Sequence, residues 1–185
     1  MYRLFVAIDL PEDIKDRLLS LYYGLPGAKW ADESQMHITL RFLGEVDGAA
    51  FRDARESLGT VRVPPFWLTV KGVGFFPPRK QPDTLWAGLE RSESLLRLRH
   101  RVESTLTRAG FPVDSRKYVP HIGLARLKGT PADRVAGFLA EHALLQLEPF
   151  QVTEFVLYSS FLSSERALHE VEATYPLIGN SSGDV

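Results

Sequence analysis

The sequence predicts an α+β fold, bilobal about a pseudo-twofold axis, with two mostly antiparallel sheets facing a central cleft and helices on the outside. Three observations predict it. Segments of period-2 alternation are interleaved with short helical ones, without a run of helix-linked parallel strands. Two segments carry nearly the same pattern, His37-Ile38-Thr39-Leu40 and His121-Ile122-Gly123-Leu124, with their histidines 84 residues apart. Phe66 and Phe150, each opening a strand after a short helix, are separated by the same 84 residues. A fixed offset shared by motif and element order points to an internal duplication. The 185 residues then form one domain with pseudo-repeat halves 2–80 and 84–177, and a flexible polar tail, 178–185.

Taken in order, Leu4, Val6, Ile8 and Leu10 alternate and Pro11 bounds them, so 2–10 reads as a strand. Pro11 suits the first position of a helix with Ile14, Leu18, Leu21 and Tyr22 on one face, ending by Gly24 or Pro26. A loop carrying Trp30 leads into the first histidine strand, 36–44. Asp47 caps a short helix with Phe51, Ala54 and Leu58 inward, stopped by Gly59. Residues 66–71 alternate again, and the glycine- and proline-rich 72–83 reads as a stiff loop between the halves. Strand 84–89 and the longest helix, 92–109, follow, with Leu95, Leu98, Val102 and Leu106 facing inward and Gly110 as the stop. After the second histidine strand, Thr130-Pro131-Ala132-Asp133 resembles a capping box opening a helix through Val135, Phe138 and Leu139. Segments 150–161 and 167–177 form a hairpin across 163–166.

The totals narrow the function classes. A formal charge of −1 argues against coating nucleic acid by bulk electrostatics, while leaving room for a local basic patch at a nucleic-acid end. The absence of cysteine excludes disulfides, thiol catalysis and cysteine-ligated zinc. No apolar run is long enough to cross a bilayer and the N-terminus lacks a signal-peptide layout, so the expectation is a cytoplasmic protein without a membrane partner.

Successive side chains on a strand face opposite ways. Ile38 and Leu40 therefore share one face, and His37, Thr39 and Arg41 the other; His121 and Gly123 likewise oppose Ile122 and Leu124. Two such strands facing each other make a cleft with an imidazole on each wall. A lone histidine is usually structural or solvated, which is the reading for His100, His142 and His169 as surface residues. Similar buried strands explain the repeated Ile and Leu, but not a histidine at the same inward place in each. Residues 115–128 hold Arg116, Lys117, Arg126 and Lys128 without an acid. Arg126, inside the motif, suits phosphate positioning; Arg41 either shares the cleft face or leaves the sheet. Trp30 and Tyr118 are candidate platforms for a base, whereas Phe42, by its parity with Ile38 and Leu40, reads as core.

His37-Ile38-Thr39-Leu40 matches the His-x-Thr/Ser-x motif of the 2H phosphoesterase superfamily, and His121-Ile122-Gly123-Leu124 nearly does. With 3–11, 36–45, 72–77, 118–126 and 175–177 added, the chain resembles the RNA 2′,3′-cyclic phosphodiesterases, also called 2′-5′ RNA ligases. The resemblance implies hydrolysis of RNA 2′,3′-cyclic phosphate ends to a 2′-phosphate, with possible reverse 2′-5′ ligation. It implies His37 as proton donor, His121 as proton acceptor, and Thr39 with its counterpart as phosphate holders. It also implies no metal or other cofactor; RNA ends are the expected partner, and the chain a monomer.

The chemistry agrees. Opening a cyclic phosphodiester takes one proton from water and gives another to the departing ribose oxygen. Histidine, with an ordinary pKa of about 6.5, does either near neutrality. Two on opposite walls can serve opposite sides of one phosphorus, although the sequence alone does not orient the pair. Gly123 departs from the pattern, and losing one donor to developing charge costs about 2.7–4 kcal/mol unless water or the Gly123 N–H replaces it. Two rival readings keep the fold: a 2H phosphodiesterase for a small cyclic phosphate or a 2′-5′ oligonucleotide, and a non-catalytic binder of RNA ends.

Overall fold

Alternating apolar side chains bounded by Pro11 fold as the first strand, β1 (Tyr2–Asp9), in a computed structural model that describes residues 1–78 and 80–179. There follow α1 (Glu12–Leu19), β2 (Ala28–Trp30), β3 (His37–Val46), α2 (Gly48–Leu58), β4 (Phe66–Leu68), β5 (Val70–Phe76) and β6 (Thr84–Leu89). The remainder is α3 (Glu93–Arg108), β7 (His121–Leu127), α4 (Ala132–Glu141), β8 (Phe150–Val152), β9 (Glu154–Leu162) and β10 (Ala167–Pro176). Two helix signals act as read: Asp47 accepts from the Ala50 N–H, and Gly110 takes φ +101° beyond α3; Ser92 adds a cap of its own, accepting from the Leu95 N–H. Leu95, Leu98, Val102 and Leu106 are buried from α3, Ile14 and Leu18 from α1, and Phe51, Ala54 and Leu58 from α2.

The class is α+β with two antiparallel sheets, but the sheets are unequal. One runs β10-β9-β1-β3-β7-β6-β5, with β2 beside β7, and the other is β4 with β8. The two walls expected as separate sheets are thus two parts of one, joined where Ile38 lies opposite Ile122, the single β3–β7 register pair among the described residues. In the small sheet Trp67 lies opposite Gln151. In both places a residue faces its own counterpart 84 positions on, as happens where a twofold relation passes between strands. The outer strands obey the same relation: β5 extends β6, and β9 extends β1.

That exchange explains why 66–71 and 150–161 are each two strands rather than one. β4 and β8 pair with each other, while β5 and β9 pair with the opposite half, so the chain changes sheets at Thr69 and again at Thr153. The expected loop 72–83 is shorter than read, because β5 continues to Phe76 against β6. Gly72 at φ +73° sits in a register shift there, and a side chain at Gly74 would collide with the Trp86 indole lying across it. Trp30 ends β2 rather than sitting in a loop, and α1 stops at Leu19, before Leu21 and Tyr22. Thr130 forms no capping box: it is buried and donates to the Pro26 carbonyl at 2.7 Å, and α4 starts after Pro131 without a side-chain cap. Of the expected tail, 180–185 lie outside the described residues. Among the described residues no helix is long and apolar enough to cross a membrane.

Candidate active site

The two histidine strands carry the same irregularity at the same place. Ala7 pairs with Thr39 but Val6 with Arg41, so Leu40 is an extra residue in β3. Trp86 pairs with Gly123 but Leu85 with Ala125, so Leu124 is extra in β7. A bulge leaves two neighbours on one side and reverses the alternation beyond them. Leu40 and Arg41 are both buried, as are Leu124 and Ala125. Phe42 and Arg126 turn to the exposed face, with the histidines.

Two readings from parity are thereby corrected. Phe42 is not core; it is 56% exposed and lines the cleft beside Thr39 and His121. Arg41 borders the same hollow, but its guanidinium is committed to packing contacts. Its Nε donates to Glu103 of α3 at 2.6 Å, one terminal nitrogen donates to the Phe42 carbonyl at 2.7 Å, and the other to the Pro112 carbonyl. That guanidinium ties the sheet to α3 and to the loop after it.

Around the Ile38–Ile122 pair, antiparallel register sets His37 opposite Gly123 and Thr39 opposite His121 on one face. Each ring has an aromatic seat. His37 packs on Phe5 (centroids 4.9 Å apart) and near Tyr158 (6.1 Å); His121 meets Phe76 edge-on (4.9 Å) and Trp86 (6.2 Å). Burial pushes the His37 pKa down to about 3, and repulsion from His169, Lys15 and His121 adds to it. His121 Nδ1 lies 2.7 Å from the Val119 carbonyl oxygen. Only an N–H can make that contact, so the neutral ring carries its hydrogen on Nδ1 and keeps its lone pair on Nε2. The Tyr118 hydroxyl donates to the Thr39 carbonyl at 2.9 Å and its ring lies under Arg99, so it braces Thr39. Burial raises its phenol pKa.

Two hollows flank this face. A cavity of about 230 Å³ is lined by Thr39, Phe42, Phe76, Tyr118 and His121. A groove of about 470 Å³ on the other side is lined by Trp30, Gly123 and Arg126. Trp30 stacks on Tyr22 at 4.4 Å, so one face of its indole is already covered. The structure therefore sets His37 and His121 on one face, with Thr39, Arg41 and Tyr118 bordering the first hollow and Trp30, Gly123 and Arg126 the second. The Arg41 guanidinium turns to Glu103, and the Trp30 indole packs on Tyr22 and near Phe138. Among the described residues no three His, Asp or Glu side chains are grouped to hold a metal ion.

Three neighbours were not visible in the sequence. His169, read as a surface residue, is half-buried, meets Phe5 edge-on at 4.9 Å, and has its ring 5.5 Å from that of His37. Burial lowers its pKa. Lys15, buried, is held by Asp9 at 3.1 Å, and Asp9 lies opposite His37 in β1. Phe76 comes from the segment read as a loop. His169 and Phe76 reach the site through long-range strand order, which local periodicity does not report; Lys15 reaches it from α1, beside the end of β1.

The family described as LigT-like phosphoesterase matches this chain twice, over residues 8–86 and 88–169. An RNA 2′,3′-cyclic phosphodiesterase of Thermotoga maritima is 34% identical over 177 residues, covering 91% of this chain and 92% of that protein. One of Archaeoglobus fulgidus is 30% identical over 171 residues, covering 91% and 96%. Among solved structures, TT0787 of Thermus thermophilus superposes with a TM-score of 0.81 at 28% identity, covering 96% of this chain and 99% of that one. Escherichia coli LigT in its apo form gives 0.77 at 25% identity, covering 96% and 98%.

Proposed function

This chain belongs to the LigT-like phosphoesterase family, and we propose that it hydrolyses the 2′,3′-cyclic phosphate ends of RNA to a terminal 2′-phosphate by acid–base catalysis between two histidines. The observation that carries the reading is the Ile38–Ile122 pair, which brings both imidazoles to one face of a shared sheet. Relatives matching along nearly the whole chain are named for this reaction.

Water displaces O3′ from phosphorus, and one proton moves on each side. His121, with its Nδ1–H donated to Val119, offers Nε2 to the attacking water. His37 gives a proton to O3′ as the P–O bond breaks. Its depressed pKa means the ring takes up that proton together with a counter-charge, and the cyclic phosphate anion seated between the rings is that charge. The non-bridging oxygens gain negative charge as water attacks and need donors. Thr39 supplies a hydroxyl from one wall. On the other, Gly123 supplies none, and Arg126, turned onto the same face by the Leu124 bulge, supplies a guanidinium in its place.

Product analysis after incubation with a cyclic mononucleotide and with a short RNA bearing the cyclic end tests the reading. The expected product is the 2′-phosphate alone, formed at the same rate with a chelator present. His37→Ala and His121→Ala should each slow it by about 10²–10⁴-fold. A 3′-phosphate product, a loss of rate with chelator, or full activity in either variant contradicts it.

A further inference from the structure

Each of the two imidazoles has one ring standing at right angles to it, and those two rings are chemically different. His121 meets Phe76 edge-on, with centroids 4.9 Å apart and planes at 83°. His37 meets His169 in the same manner, 5.5 Å apart at 78°. The strands that supply them differ as well. β5, which carries Phe76, ends its side of the sheet, whereas β10, which carries His169, is added outside β9 and has no counterpart beyond β5. A phenyl ring satisfies the packing on the second wall, so packing does not require an imidazole on the first.

The catalytic rings are also held by different means. His121 is oriented by the bond between its Nδ1 and the Val119 carbonyl. Among the described residues no such bond holds the His37 ring; Phe5, Tyr158 and His169 enclose it instead. His169 is not anchored as a structural histidine is. Its Nδ1 is buried and, apart from the Leu168 backbone beside it, finds no partner among the described residues. The ionisable groups around it are matched elsewhere. Tyr158 on β9 stays a neutral phenol, its pKa raised by burial. Asp9 on β1 holds Lys15 of α1 at 3.1 Å, and Asp32, beside the helical turn Glu33–Gln35, holds Arg166. On β10 itself Glu172 accepts from the Ser159 hydroxyl at 2.6 Å, while Glu170, like Glu33, is exposed. A positive charge on His169 therefore acts on His37 without a carboxylate between them.

We propose that His169 is a positioning residue for the acid side of the reaction: neutral, it holds the His37 ring in place; charged, it bars His37 from carrying the proton that O3′ receives. The inference rests on the phosphodiesterase reading above and adds a control to its acid. Two imidazoles this close in a half-buried seat are not charged together, so they titrate as a pair. In the free protein the first proton rests on His169, the less buried ring. The cyclic phosphate anion favours it on His37 instead, and a second proton stops turnover.

The test follows kcat/KM for 2′,3′-cyclic AMP from about pH 5 to about pH 8 in wild type, His169→Phe and His169→Ala. The phenylalanine variant copies the ring that Phe76 supplies on the other wall and cannot charge. Its rate relative to wild type should climb as pH falls, approaching about tenfold per pH unit, because protonation of His121 slows both alike. His169→Ala should climb in the same way from a rate about tenfold below that of His169→Phe, since nothing then holds the ring. A ratio that stays flat with pH, or an alanine variant as fast as the phenylalanine one, overturns the inference while leaving the activity standing. A second readout, NMR titration of the His169 ring, needs no turnover. Adding 2′-AMP should move that titration to lower pH in wild type, because His37 charges first, and to higher pH in His37→Phe, as a nearby anion alone does. An upward move in wild type overturns the pairing of the rings. No turnover by any of the three proteins overturns both the inference and the reading beneath it.

Discussion

The two histidine strands share a frame and divide the chemistry differently. Each has an imidazole, a buried isoleucine, a bulged leucine and a side chain thrown outward two residues later, at positions 84 apart. On the first wall the variable places are Thr39, Arg41 and Phe42; on the second they are Gly123, Ala125 and Arg126. The first wall thus offers a hydroxyl and an aromatic ring, and the second offers a guanidinium and open space. The positions between are as instructive: Arg41 is a buried cation paired with Glu103, whereas Ala125 needs no partner. A repeated backbone preserves where side chains point, and it leaves each copy free to supply a different part of one site.

The largest effect expected from this asymmetry concerns stability. Arg41→Met leaves the half-buried Glu103 with Arg99 and the Asp114 N–H alone and strips three bonds from the sheet–α3 joint, a loss of about 3 kcal/mol, the low end for a broken buried pair. Urea unfolding should show it; a variant as stable as wild type would place Arg41 outside the packing. Next come the phosphate donors. Arg126→Ala should lower kcat by about 10²–10³-fold, as loss of an oxyanion donor does. Thr39→Val, removing a neutral donor of roughly half the strength of a charged one, should lower it by about tenfold. The reverse ranking would mean that the first wall carries most of the charge.

Acid sensitivity separates the histidines by environment. His37 titrates near 3 when folded and near 6.5 when unfolded. Between those values the unfolded chain holds a proton that the folded one does not, so stability falls as pH drops from about 6.5 toward 3. His169, also lowered, contributes in the same direction. His37→Phe should flatten the fall of Tm over that range, and an unchanged slope would contradict the assigned burial. The smallest effect is at Gly123. Because a side chain there meets nothing, Gly123→Thr should keep or modestly raise kcat on a cyclic mononucleotide. A large drop would mean that phosphate approaches the backbone there.

Much of this was legible in the residues themselves. The fold class, the helix cap at Asp47 and the histidine pair followed from periodicity, capping chemistry and repetition. Parity failed at Arg41 and Phe42 because a bulge inserts one residue and reverses every face beyond it, and no local signal marks Leu40 as that residue. It reached the right face for Arg126 only by way of the motif, since strict alternation would have buried it with Leu124. Thr130 showed the same limit: its sequence suits a cap, but its hydroxyl meets the Pro26 carbonyl, 104 residues away. His169 and Phe76 reach the cleft by exchange of strands between halves, a matter of global topology rather than local pattern.

The central claim is that His37 and His121 converge on one phosphorus. A crystal structure with 2′-AMP bound measures it directly. The account predicts a ring nitrogen of each histidine within hydrogen-bond distance of oxygens on the same phosphate, with Thr39 and Arg126 on the remaining oxygens. A phosphate reached by only one of the two rings would contradict it.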